Sequence, residues 1–354
     1  MDFQFFRRLL DTDSTSGKER EFALALASEL PELFAKDGAR PQLDVMEVGD
    51  GSLNLLFSWG RPELVFCTHL DTVPPYIAPR FLDRDGVELP RGRENEAVKV
   101  CGRGSNDAKG QAFAMIEACR RLAAAGRSGF GLLLVSGEET GSFGAKAFAA
   151  GPFRAPYLIV GEPTDNAMVS ASKGTKAYSV HIGGRRCHSG YPEQGVSAVE
   201  IFRRFLDALD ASAFPEDALL GRTVWNVGRL VSDNPQNILS DSLDFRLYFR
   251  TTFASDAAVC RRMEELGEMD FVEVEALGGD VPREYMTLEG FPSAPVSFGS
   301  DAPHLDNFGK RAIFGPGSIL SAHTDGEYVL VEDLRYAAEA YVAMYEKIID
   351  GHIC

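Results

Sequence analysis

Three short apolar runs, at residues 64–67, 131–136 and 157–160, each stop a few residues before side chains able to hold a metal ion. Those side chains are His69, then Glu138 and Glu139, then Glu162. Runs this short and this apolar read as buried strands. Stretches of helical texture lie around them: apolar residues recur on a helical period over 3–10, and Phe22, Leu26 and Leu30 repeat every fourth residue within 18–34. Residues 112–125 are rich in Ala, Met and Leu ahead of Gly126, a plausible stop. Alternation of this kind predicts an α/β sheet. In open α/β sheets ligands collect in the crevice beyond the carboxyl ends of the strands. Three unrelated strands therefore deliver candidate ligands to one sheet edge.

The texture changes at about Lys173. Residues 177–182 alternate, 195–209 read as an amphipathic helix, 223–230 as a strand, 243–249 alternate again, 257–266 read as a helix and 271–276 as a strand. Strand–helix–strand–strand–helix–strand is the order of a small ferredoxin-like α+β module. After it, residues 295–298 and 312–314 and a long helix over 331–349 resume the α/β style. The expected organisation is a discontinuous α/β domain, 1–172 and 280–354, with residues 173–279 inserted.

Composition narrows the class. The chain has 354 residues, 45% hydrophobic and 25% charged, as expected for a folded globular protein. Its 52 acidic against 36 basic side chains give a net charge of −16, which argues against sequence-independent nucleic-acid binding and against an anionic membrane surface. No run approaches the length of a membrane span. MDFQFFRRLLDTDS has neither the apolar core nor the cleavage site of a signal peptide. The six cysteines are scattered without a CxxC, as for reduced thiols. A cytoplasmic location is expected.

The polar residues then suggest the chemistry. CTHLDT supplies His69 and Asp71, GRGSNDAKG Asp107, SGEETGS Glu138 and Glu139, GEPT Glu162, and SAHTDGEY His323. Zinc takes imidazole and carboxylate ligands and keeps a position open for water in catalytic sites. Two metal ions about 3.5–4 Å apart can clamp a reacting group. One bridging carboxylate plus one His and one carboxylate per ion requires five residues, and His69, Asp107, Glu139, Glu162 and His323 meet that count. Asp71 and Glu138 remain for proton work. Adjacent carboxylates repel unless their roles differ; one as ligand and one as general base resolves the Glu138–Glu139 pair. Asp71, two residues beyond His69, is placed either to orient that imidazole or to tune the proton chemistry. His181, His304 and His352 have no comparable context, and Cys67 belongs to a strand core.

These motifs, with CHSGYPEQGVSAVE, NILSDSLDFRLYFR and FGSDAPHL, resemble the aminoacylase/carboxypeptidase-type di-zinc metallopeptidases. Within them they look most like acetylornithine deacetylase and succinyl-diaminopimelate desuccinylase. The resemblance runs through nearly the whole chain. It implies a zinc-peptidase-like mixed sheet flanked by helices, with an inserted ferredoxin-like dimerisation or lid domain. It further implies His69 and Glu162 on one ion, Glu139 and His323 on the other, and Asp107 between them. Glu138 matches the general base and Asp71 the residue that orients His69 or tunes that base. His188 matches a residue that reaches a partner subunit's site and helps hold the oxyanion, which makes a homodimer the expected assembly. Asn237 and Arg250 match positions that hold a substrate α-carboxylate. Ala108-Lys109-Gly110-Gln111 departs from the commoner Met-Lys-Gly-Gly, and Ser240 stands where Pro is usual.

The function the resemblance implies is hydrolysis of an N-acyl amino acid. N-acetylornithine or N-acetylcitrulline leads and N-succinyl-diaminopimelate follows. A dipeptidase or carboxypeptidase of the same chemistry is the alternative, and a catalytically inactive metal-binding relative a third reading. The expected cofactors are two divalent ions, zinc by default, with cobalt or manganese also suited to these ligands.

Overall fold

The computed structural model describes residues 1–49 and 51–351; His352 and Cys354 lie outside the described residues. The chain divides into two units, Met1–Val169 with Tyr285–Ala294 and the chain from Ser300 onward, and Ser170–Glu284 with Pro295–Gly299.

The first unit is built on a six-stranded mixed sheet. Its strands, in spatial order, are Gln42–Val48, Ser52–Trp59, Phe130–Val135, Leu64–His69, Ala155–Val160 and Phe308–Ile313. The last four run parallel to one another, so their carboxyl ends share one edge. The two antiparallel strands on the flank were not foreseen. Ser52–Trp59 is buried along its whole length, yet Ser52, Asn54 and Ser58 interrupt its apolar run. Asn54 is satisfied inside the fold, donating to the Gly144 carbonyl and accepting from the Ser136 N–H.

Helices Phe3–Asp11, Glu19–Asp37, Lys109–Ala124 and Val331–Ile349 supply the apolar faces of this unit's core. Lys109–Ala124 is buried on nearly every side, which accounts for its small Ala-rich composition. It starts at Lys109, directly behind Asp107 and three residues before the Ala-rich stretch that begins at Ala112. In the Phe3–Asp11 helix, Asp2 caps the Gln4 and Phe5 N–H groups, and Phe6 stacks on Phe113 at 4.6 Å between centroids. No helix among the described residues is long and apolar enough to cross a membrane.

The second unit carries a four-stranded antiparallel sheet ordered Val224–Val231, Ser242–Thr251, Gly174–Gly183 and Val272–Gly278, with helices Ala198–Asp210 and Asp256–Gly267. Strand order and direction are those of a ferredoxin-like module. Leu243, Phe245, Leu247 and Phe249 point into its core, as the two-residue alternation requires.

One expectation needs correction. Residues 295–298 do not rejoin the large sheet. Ser293–Val296 is the edge of a separate three-stranded sheet beside Met168–Ser172, where Pro295, lacking an N–H, is tolerated.

Candidate metal centre

The strand Leu64–His69 ends on His69, and Glu138, Glu139 and Glu162 follow the carboxyl ends of its two parallel neighbours. The Lys109–Ala124 helix brings Asp107 to the same edge. His323 arrives from the segment before Tyr328–Leu330, with its backbone in the left-handed region at φ 61°.

These side chains converge. His69 Nε2 lies 3.0 Å from Asp107 Oδ1, and His323 Nε2 lies 3.3 Å from Asp107 Oδ2 and 2.9 Å from Glu139 Oε1. Their ligand atoms form overlapping triads within 4.8 Å: His69–Asp107–Glu162, Asp107–Glu139–His323 and His69–Glu138–Glu139. Asp107 belongs to the first two. His69 Nδ1 donates to the Asp71 backbone carbonyl at 2.9 Å. A carbonyl only accepts, so Nδ1 carries a proton there, which leaves Nε2 as the ring nitrogen that faces Asp107 and the cluster. The Asp71 carboxylate accepts the Glu138 and Glu139 N–H groups and the Ser16 hydroxyl, and its Oδ1 lies 3.6 Å from His69 Nδ1.

The electrostatics are those of a site short of positive charge. Burial disfavours a cationic His69, but the carboxylates of Asp107 and Asp71 outweigh it and hold its pKa well above the usual value. Hydrogen bonds that His323 donates to the Asp107 and Glu139 carboxylates push its pKa up to about 10. Burial works against the Asp107 anion, yet the two imidazoles hold it well below the usual carboxylate range. Glu138 and Glu162 are raised well above theirs, by burial first and by neighbouring carboxylates second. Opposed shifts within one cluster are typical of functional sites.

The donor set fits two dications. Buried Glu162 Oε1 has no hydrogen-bond partner, and five carboxylates gather around two imidazoles. His69, Asp107, Glu139, Glu162 and His323 could hold such ions.

His188, Asn237 and Arg250 belong to the second unit. His188 and Asn237 lie on paired loops: Ser189 N–H donates to the Asn237 carbonyl, and His188 bridges to Ile238. Both side chains are exposed. Arg250 sits over the Tyr248 ring near the far end of Ser242–Thr251, a strand length of about 26 Å at the usual rise. One copy of this unit does not bring Arg250 together with the other two. His181 is paired with Asp244 on the sheet. Cys67 is buried in its strand, and the five described cysteines are free.

Three features of the centre escaped the sequence reading: Ser16 on Asp71, the buried pair Arg103–Glu327, and Asp301, a buried carboxylate behind the cluster. The last three residues stand inside GRGSND, SAHTDGEY and FGSDAPHL, so the motifs held them without marking their role.

The parallel-edged sheet, the four-stranded insertion and the acid–histidine cluster define a metallopeptidase-type hydrolase. The sequence pattern of Peptidase family M20/M25/M40 matches residues 65–347, and the chain belongs to that family. A probable carboxypeptidase of Aspergillus fumigatus is 31% identical over 384 residues, covering 98% of this chain and 86% of the relative. Among solved structures, a Staphylococcus aureus tripeptidase superposes with a TM-score of 0.74 at 19% identity, covering 95% of each chain. A Bacillus subtilis protein described as a dinuclear metal binding peptidase from the M20 family gives 0.64 at 11% identity, over 98% of this chain and 96% of that one. The chain is a hydrolytic peptidase-family enzyme with the corresponding mixed α/β fold.

Proposed function

We propose that this enzyme hydrolyses an amide bond whose nitrogen belongs to an amino acid with a free α-carboxylate, and that it does so with two divalent ions. The observation that carries the reading is Asp107, shared by two ligand triads that each add one histidine and one glutamate. His69 and Glu162 would hold one ion and Glu139 and His323 the other; zinc is the default. The dinuclear relative from Bacillus subtilis supports the pair.

When bound, the ions would polarise the scissile carbonyl and acidify the attacking water. Glu138 takes the proton of that water, as a carboxylate beside a metal-bound water can. As the C–N bond breaks, Glu138 delivers the proton to the departing amine nitrogen, leaving a carboxylate and a free amino acid. Asp71 fixes Glu138 through its backbone. Arg250 offers a planar fork to the α-carboxylate. His188 and Asn237, exposed and remote from Arg250 in one copy, suit a site completed by a second subunit. A homodimer formed through the inserted unit is proposed accordingly, supported by exposed Val224, Leu230 and Val231 on its edge strand.

Carboxypeptidase or dipeptidase action leads, because the Aspergillus fumigatus relative, matched over 86% of its length, is named a probable carboxypeptidase. N-acyl amino acid deacylation is the second reading, favoured by the resemblance of FGSDAPHL and SAHTDGEY to segments of acetylornithine deacetylase. Free-amine release from dipeptides, N-acetylornithine, N-acetylcitrulline and N-succinyl-diaminopimelate, by protein stripped with EDTA and reloaded with zinc, cobalt or manganese, separates them. Cleavage of dipeptides establishes the peptidase; acyl amino acids alone establish the deacylase. No metal-dependent turnover on any of them would overturn the proposal.

A further inference from the structure

Asp107 and His323 meet at 3.3 Å although 216 positions separate them in the chain. What holds their backbones is neither a ligand nor a regular element. It is one buried ion pair, Arg103–Glu327, between residues 224 positions apart, with both side chains no more than 2% exposed.

The two charges divide the work. Glu327 Oε1 accepts the N–H groups of Gly104 at 2.9 Å, Asn106 at 3.1 Å and Asp107 at 3.1 Å, so the backbone ahead of Asp107 curls around one oxygen. Glu327 Oε2 accepts from Arg103 Nη1 at 2.5 Å. The same Arg103 nitrogen donates to the carbonyl of Thr324, the residue directly after His323, at 3.2 Å, and Arg103 Nε donates to the Pro75 carbonyl. Backbone bonds complete the stitch: Gly102 N–H to the Glu327 carbonyl and Glu327 N–H to the Thr324 carbonyl.

A buried ion pair is weak evidence for stability, because desolvation of two charges offsets much of their attraction. Its arrangement here is informative for another reason. Every polar contact of Glu327's carboxylate goes to the segment leading into Asp107, and Arg103 grips the turn leaving His323. Ligand atoms of Asp107, Glu139 and His323 lie within 4.8 Å of one another, and one ion at ordinary ligand distances reaches all three only while they stay close. Glu139 is fixed separately, through Asp71.

We propose that Arg103 and Glu327 are positioning residues whose ion pair sets the separation of Asp107 and His323, and so the affinity of the Asp107–Glu139–His323 triad for its ion. The inference rests on the dinuclear reading above. The ion of the His69–Asp107–Glu162 triad depends on the pair less, because His69 and Glu162 stand on strand ends of the sheet.

The test is stepwise zinc binding to stripped full-length protein by calorimetry, with cobalt absorption spectra as a second readout. His323→Ala identifies the step that belongs to the His323 triad. Glu327→Gln keeps an oxygen for the three N–H groups but turns amide donors toward the Arg103 guanidinium. It is expected to weaken the His323-dependent step about ten- to hundred-fold, in the range for residues that orient ligands, and to leave the other step within about threefold. The cobalt spectrum of that step changes with it. Arg103→Lys keeps the charge but not the fork, and gives a smaller loss in the same step. The double variant Arg103→Met/Glu327→Gln loses no more than Glu327→Gln alone, because the pair acts as a unit.

Equal weakening of both steps would mean a general structural role and overturn the inference. So would unchanged binding in variants whose stripped forms keep the near-ultraviolet circular dichroism of the parent. If Glu327→Gln does not fold, Arg103→Lys carries the same readout. A parent protein that binds no ions overturns the dinuclear reading itself. A parent that binds two, with variants that bind identically, overturns this inference alone.

Discussion

The carboxylate of Asp71 accepts the backbone N–H of Glu138 at 3.0 Å, and its other oxygen takes the N–H of Glu139 at 3.2 Å and the Ser16 hydroxyl at 2.9 Å. The residue two places after His69 thus aims the glutamate pair, while its carbonyl accepts from His69 Nδ1 at 2.9 Å and its carboxylate lies 3.6 Å from the same nitrogen. Asp71→Ala should lower kcat/KM about ten- to hundred-fold, as removal of an orienting partner does. Ser16→Ala removes one hydrogen bond to the same carboxylate, worth about 1 kcal/mol or roughly fivefold in rate. Steady-state kinetics on the cleaved substrate, with bound metal counted by atomic emission, measures both. Equal activity for parent and Asp71→Ala would rule this role out.

Glu138 and Glu139 are neighbours in sequence with separable tasks. Glu139 makes the close contact with His323, whereas Glu138 is the carboxyl whose burial raises its pKa. Glu138→Gln should keep two ions and lose about 10²- to 10⁴-fold in kcat, the usual range for a general base. Glu139→Gln should lose an ion. Metal counts that fall in Glu138→Gln would exchange the two assignments.

Much of this was legible because it is local. The strands before His69, Glu138 and Glu162 are short apolar runs, and the inserted unit shows its two-residue alternation in Leu243–Phe249. The flank strand Ser52–Trp59 was hidden because buried Asn54 and Ser58 break the apolar run, and only the fold supplies Asn54 with Gly144 and Ser136 as partners. Ser16 on Asp71 and Glu327 on residues 104–107 were hidden for a related reason. A side chain that satisfies distant backbone leaves no period in the sequence.

Gly137 sits where the sheet edge turns into the Glu138–Glu139 pair, at φ 73°. A Cβ there would lie 1.7 Å from the Phe143 ring, within a backbone region that L side chains rarely adopt. Gly137→Ala therefore combines strain with overpacking and should cost roughly 2–4 kcal/mol. Urea denaturation of stripped protein measures it. Phe143→Ala in the same chain should recover part of the loss by relieving the clash while leaving the φ strain. A Gly137→Ala variant as stable as its parent would contradict the turn described here.

Asp301 supplies a pH dependence of stability. It is fully buried, and burial pushes its pKa up to about 6 despite the opposing pull of the His69 imidazole and the Ser142 hydroxyl. The unfolded carboxyl titrates near its ordinary value of 3.8. Between these two values the folded chain binds more protons than the unfolded one, so this group makes the protein more stable as pH falls from 6 toward 4. Above pH 6 the buried anion costs about 3 kcal/mol by linkage. In EDTA-treated protein, Asp301→Asn should accordingly improve relative to its parent by about 3 kcal/mol between pH 4 and pH 8, with most of the change between 4 and 6. Urea denaturation of both proteins across that range gives the difference directly. A constant difference would place the Asp301 carboxyl in a solvated setting.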